Sequence, residues 1–287
     1  MQFALILLLI ALALIVFIVL MVHVGFRAPR IRESGTPAQF DLPFQTIHIP
    51  GVKDAKLFGW FLPVESSLHT VILLHGWGGN AEMMLPLARP LVEAGCNVLL
   101  FDARNHGRSS GGVVSSMPRF AEDMDCAINW LRQQHPRQSR KVALLGHSVG
   151  AGAVLLAASR RDDIDAVISV SAFAHPDRMM RRYLADKRIP QPLISAILHY
   201  VQWAIGARFD HIAPLNTVCK APCPVLLVHG KADSTVPVED ARDIRDNCPH
   251  PHVELIEIDD ADHDSVDMIE LHAHQLTSFL MRHGVIA

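Results

Sequence analysis

Lys141-Val142-Ala143-Leu144-Leu145-Gly146-His147-Ser148-Val149-Gly150-Ala151-Gly152-Ala153 changes character halfway along. Residues 142–145 form an apolar run suited to a strand buried on both faces. Residues 151–158 read as a small-residue apolar helix. Gly146-x-Ser148-x-Gly150 lies between them. A strand that becomes a helix within so few residues needs a very tight turn. Glycines two before and two after the serine leave room for neighbouring backbone. Such a turn would lift the Ser148 hydroxyl out of the sheet at a helix N-terminus. Backbone N–H groups and the helix dipole favour developing negative charge there. The spacing alone is common; the strand before it and the helix after it make Ser148 a candidate nucleophile.

Strands and helices alternate outward from this turn. Short apolar runs at 71–74, 97–101, 166–170, 224–229 and 253–258 read as buried strands. Helices are predicted at 81–94, 117–134, 238–247 and 265–282. Residues 46–49 and 57–62 read as an antiparallel strand pair around Pro50-Gly51. The pattern implies an α/β fold with a mostly parallel sheet and helices on both faces. One stretch, 175–218, has no clear buried strand where a single crossover helix would suffice. It is read as a helical lid insertion. The whole α/β unit is placed at 44–287.

Composition limits the partners. The chain has 287 residues, 50% of them hydrophobic, and a formal net charge of −3. No nucleic-acid partner is implied. Residues 3–22 form an unbroken run without charge or proline, long enough to cross a bilayer as a helix. No Lys or Arg precedes the run and no A-x-A-like site follows it, which favours a retained anchor over a signal peptide. Arg27, Arg30 and Arg32 follow closely. The positive-inside rule then predicts a single-pass protein of the cell membrane with its C-terminal domain in the cytoplasm. Residues 23–43 read as an aperiodic juxtamembrane linker. The five cysteines, Cys96, Cys126, Cys219, Cys223 and Cys248, are scattered and odd in number. They are read as unpaired thiols, Cys96 and Cys126 buried, in a reducing compartment.

A serine nucleophile needs a base, and the base needs an orienting group. Both belong at the C-terminal ends of later strands, where the loops converge. The strand at 224–229 runs into Gly230-Lys231-Ala232-Asp233, and the strand at 253–258 into Asp259-Asp260-Ala261-Asp262-His263-Asp264. Asp233 is therefore the expected orienting carboxylate and His263 the expected base. Asp259, Asp260, Asp262 and Asp264 crowd His263 and are read as a solvated loop. His147 is read as packing beside the nucleophile. No metal and no cofactor is expected. His272 and His274 are two apart on a predicted helix, His250 and His252 flank Pro251, and H-E-x-x-H is absent.

Five stretches in this order resemble the α/β-hydrolase superfamily, and more narrowly its membrane-anchored serine hydrolases of the Bem46-like kind. They are His75-Gly76-Trp77-Gly78-Gly79, Asp102-x-Arg104-x-His106-Gly107-x-Ser109, Gly146-His147-Ser148-Val149-Gly150, His229-Gly230-x-x-Asp233-x-x-Val236-Pro237, and His263. The resemblance implies an α/β-hydrolase fold and a Ser148–His263–Asp233 triad. It also implies an oxyanion hole from the backbone N–H groups of Trp77 and Val149, and a structural role for residues 102–109. The expected activity is hydrolysis of an ester, thioester or lipid-like acyl substrate through an acyl-enzyme, with the N-terminal helix as membrane contact. An acyltransferase or peptidase would use the same residues. A silent, membrane-tethered binding module would not need all three.

Overall fold

A computed structural model describes residues 2–111 and 114–286. Eight strands form one sheet. They are β1 (Gln45–Pro50), β2 (Lys56–Leu62), β3 (His69–Leu74), β4 (Asn97–Phe101), β5 (Lys141–His147), β6 (Ala166–Val170), β7 (Val225–Gly230) and β8 (Val253–Ile258). Their order is β1-β2-β4-β3-β5-β6-β7-β8. β1 and β2 run antiparallel, as do β2 and β4, and every later pairing is parallel. The strands flanking β3 are β4 and β5, so the winding direction reverses there. Loops leaving β3 and β5 consequently open a crevice at the C-terminal edge of the sheet.

Eleven α-helices are described. They are α1 (Gln2–Gly25), α2 (Leu85–Glu93), α3 (Met117–Gln134), α4 (Val149–Ala158), α5 (Pro176–Asp186), α6 (Gln191–Ile205), α7 (Phe209–Ile212), α8 (Pro214–Thr217), α9 (Val238–Asn247), α10 (Val266–Leu271) and α11 (Ala273–Arg282). Strand side chains alternate between two apolar layers. Ile72, Leu74, Val142 and Leu144 face one layer, with Phe120 of α3, Leu155 of α4 and Ile244 of α9. Val71, Leu73, Ala143 and Leu145 face the other, with Leu87 of α2 and Phe279 of α11. The protein has an α/β-hydrolase fold.

Several local expectations need adjusting. The helix read at 81–94 is a 3-10 turn, Glu82–Met84, followed by α2. Pro86 favours a fresh helix start there, because its missing N–H costs nothing in a first turn. The helix read at 265–282 breaks at His272 into α10 and α11. Cys219 and Cys248 are joined by a disulfide with Cα atoms 5.5 Å apart, which corrects the reading of five unpaired thiols. Their separation of 29 residues hid the pairing; connectivity is not a property of local spacing. Cys96 and Cys223 are buried thiols, and Cys126 is only half-buried.

α1 is long and apolar enough to cross a membrane. The segment after it packs closely on the domain. Ser115 N–H donates to Phe26 O, Asn80 Nδ2 to Ile31 O, and Ser34 N–H to the Glu82 carboxylate at 2.7 Å. Glu33 is buried, with Arg108 Nε 3.0 Å from its Oε2. Polar groups of an aperiodic segment can be satisfied by loops far away in sequence, and periodicity is blind to that.

Candidate active site

Ser148 sits between β5 and α4 with φ 54° and ψ −116°. A side chain rarely adopts such angles, and holding one there costs roughly 1–3 kcal/mol. Close packing on both sides enforces the turn. A Cβ on Gly146 would come within 2.3 Å of Gly150 O, and one on Gly150 within 2.5 Å of both Leu74 O and His75 O. Only glycine fits at either place. Ser148 N–H donates to Val170 O at 2.9 Å, which pins the turn to the end of β6.

His263 follows β8. Its Nε2 lies 2.9 Å from Ser148 Oγ, and its Nδ1 lies 2.8 Å from Asp233 Oδ2. A carboxylate can only accept, so Nδ1 carries the proton and Nε2 is free to accept from the Ser148 hydroxyl. Asp233 Oδ1 accepts from the N–H groups of Thr235 and Val236, at 3.0 and 2.7 Å. Burial would raise the Asp233 pKa, but hydrogen bonds from His229, His263 and Val236 outweigh it and hold the group well below the usual carboxylate range. The carboxylate is thus ionised and immobile.

His229 was only part of a motif in the sequence, yet it braces Asp233. Its Nε2 donates to Val236 O at 2.8 Å and lies 3.4 Å from Asp233 Oδ2. His147 is buried, and its Nε2 donates to the backbone oxygen of His263 at 2.8 Å. Burial and the nearby His263 lower the His147 pKa, so it stays neutral and keeps an unprotonated Nδ1. Asp262 Oδ1 accepts from Ser234 N–H and His263 N–H, at 2.9 and 2.8 Å. This aspartate therefore ties the two site loops together, more than a solvated loop residue would. Asp259 instead pairs with Lys231 at 2.8 Å.

The turn after β3 abuts the serine. A Cβ on Gly76 would lie 3.0 Å from Ser148 Cβ and 3.2 Å from His147 Nδ1. Gly79 N–H donates to Gly76 O, and Gly78 takes φ +74°, so the chain doubles back around Trp77. Among the described residues, neither the Trp77 N–H nor the Val149 N–H donates a hydrogen bond. Below this turn, His75 Nε2 accepts from Ala103 N–H at 3.0 Å and its Nδ1 donates to Gly76 O at 2.7 Å. Burial, then the neighbouring His106, pushes the His75 pKa down to about 3, so it serves as a neutral brace. Asp102 Oδ1 and Oδ2 accept from Ala81 N–H and Arg108 N–H, both at 2.8 Å. Residues 102–109 therefore support the turn around Trp77.

His147, His263 and Asp264 bring possible ligand atoms within 4.8 Å of one another. Both His263 ring nitrogens already face other partners, Asp233 and Ser148. A cation there would have to displace one of them. The histidine pairs at 250/252 and 272/274 have ring centroids 4.9 and 6.4 Å apart but join no cluster of three among the described residues.

The chain is similar to several known proteins. The uncharacterized protein YfhR of Escherichia coli K12 is 29% identical over 226 residues, 76% of this chain and 73% of that protein. The uncharacterized membrane protein YNL320W of Saccharomyces cerevisiae is 24% identical over 253 residues, 88% of this chain and 84% of that one. Among solved structures, the Pyrococcus furiosus esterase Pf2001 matches with a TM-score of 0.73 at 26% identity, covering 89% of this chain and 98% of the esterase. A family model, Hydrolase_4, described as serine aminopeptidase, S33, matches residues 65–209. That match runs from just before β3, through the Ser148 turn, to beyond α6, and the chain belongs to this family of α/β hydrolases.

Proposed function

We propose that this hydrolase is a membrane-anchored serine hydrolase that cleaves an ester, thioester or lipid-like acyl substrate. The observation that carries the proposal is the continuous relay from Ser148 Oγ to His263 Nε2, and from His263 Nδ1 to Asp233. His263 takes the Ser148 proton as Oγ attacks the substrate carbonyl, and Asp233 holds the imidazole in the tautomer that can accept it. The N–H groups of Trp77 and Val149 donate to the developing oxyanion. The proton passes from His263 to the leaving oxygen or sulfur, which leaves an acyl-enzyme. His263 then takes a proton from water, which attacks the acyl carbonyl. Return of that proton to Ser148 releases the acid.

The likeness to a Pyrococcus esterase supports an ester substrate. The apolar α1 and the yeast membrane-protein relative support the anchor. The insertion at 175–218, which follows β6 and carries α5 and α6, is the proposed lid. The family description, serine aminopeptidase, supports a second reading in which the acyl donor is a peptide. A panel of acyl esters of increasing chain length, assayed beside aminoacyl and peptide amides, separates the two. Turnover of esters with a preference for longer chains is expected. Turnover confined to the amides would replace the esterase reading with the peptidase one.

A further inference from the structure

We infer that α6 is an interfacial helix whose outer face, around Tyr200 and Trp203, sits in the headgroup–acyl boundary of the bilayer that α1 crosses. The inference rests on reading α1 as a membrane span. The two helices touch: Tyr200 Oη lies 3.5 Å from His23 Nδ1, and the rings are 6.0 Å apart. Contact also extends up the span, because Ile18, Val22 and Phe26 all pack on the apolar layer to which α6 contributes Ile194, Ile197, Leu198 and Val201. Ile18 lies about 10 Å before the end of α1 at 1.5 Å per residue. A domain that covers Ile18 must reach down to that depth beside the span. α6 contacts α1 and supplies part of the apolar layer on which Ile18 packs.

The composition of α6 suits that position. Its fifteen residues, QPLISAILHYVQWAI, contain no Asp, Glu, Lys or Arg. A helix face turned to bulk water normally carries charge. Here the outward positions include Pro192, Ala196 and His199, with Trp203 76% exposed. Tyr200 leans on Trp203 at 5.6 Å. Tyr and Trp favour the membrane–water interface, where an apolar ring body and a polar tip are both satisfied. Interfacial helices lie about 5–10 Å into the headgroup/acyl boundary, which matches the depth set by Ile18. The occupant of this face is therefore lipid, and an acyl substrate would reach the site from the bilayer side.

The test uses the full chain in phosphatidylcholine nanodiscs, with and without lipids brominated along the acyl chain. α1 contains no tryptophan, so it adds no signal of its own. Bromolipid is expected to quench part of the tryptophan fluorescence, and Trp203→Phe is expected to abolish most of that quenching. Trp77→Phe and Trp130→Phe should leave it in place. Alkaline washing of membranes carrying the same chain reports separately on the anchor. A chain that resists washing but shows the same quenching with and without Trp203 overturns the interfacial helix alone. So does a washed-resistant chain that forms dimers cross-linked through α6. A chain released by washing overturns the anchor and this inference together.

Discussion

Asp233 and His263 meet at 2.8 Å although they follow different strands, β7 and β8. Register explains the meeting. His229 of β7 pairs with Glu257 and Gly230 with Ile258, so both strands end level. A Cβ on Gly230 would lie 2.1 Å from Ala261 O, so the two loops start in contact. Asp262 then clips them together through Ser234 and His263.

This arrangement separates the roles of two neighbouring carboxylates. Asp233→Asn should lower kcat by roughly 10³- to 10⁴-fold, through loss of the correct imidazole tautomer. Asp262→Asn keeps an acceptor oxygen for both backbone donors and should change kcat by less than about tenfold. Steady-state kinetics on one ester substrate gives both values. A larger loss at Asp262 than at Asp233 would move the orienting role to the β8 loop.

Glu33 and Asp102 form a buried carboxyl pair, with consequences for pH. Burial, then the facing Glu33, raises the Asp102 pKa to about 8. Gly107, at φ +45°, makes room for both groups: a Cβ there would lie 2.1 Å from Asp102 Oδ2 and 2.4 Å from Glu33 Oε1. The folded pKa is raised above the unfolded one, so the folded state holds a proton that the unfolded chain has lost. The stability of the pair is fully present below about pH 4 and falls as pH rises toward about 8. Glu33→Gln removes the facing charge and should flatten that fall. Melting temperatures across pH 4–8 for both chains check this; parallel curves would contradict it.

The anchor and its direction are tested together. A charged residue in hydrocarbon costs about 2.5–3.5 kcal/mol on insertion scales, and α1 contains none. The chain should stay with membranes through high-salt and alkaline washes. Deleting residues 1–24 should release a soluble, active domain that keeps Glu33. Deleting residues 1–43 removes Glu33 and should lower the melting temperature as well. Arg27, Arg30 and Arg32 favour a cytoplasmic domain, whereas the Cys219–Cys248 bond suits an oxidising compartment. The arginines act at membrane insertion itself. Protease added outside intact cells with a permeabilised outer layer should leave the domain uncut. Digestion of the domain would reverse the orientation.

Much of this was legible in the chain because the signals were local. The switch from Leu145 to Ala151 shows a buried strand becoming a helix within one turn, and the structure puts that turn at Ser148. Asp233 and His263 were reachable because each follows an apolar strand closely. The supporting contacts were not reachable. Glu33 meets Asp102 across 69 residues, His147 meets His263 across 116, and Cys219 meets Cys248 across 29. Each is a consequence of tertiary packing, and no periodicity or spacing announces it.

Ser148 is the proposed nucleophile. The most direct measurement is labelling of the full chain with an active-site-directed fluorophosphonate, followed by peptide mapping. A single adduct on Ser148 is expected, absent in Ser148→Ala, with kcat lowered on the order of 10⁴- to 10⁶-fold in that variant while its melting temperature is retained. An adduct on another serine, or unchanged turnover by Ser148→Ala, would contradict the account.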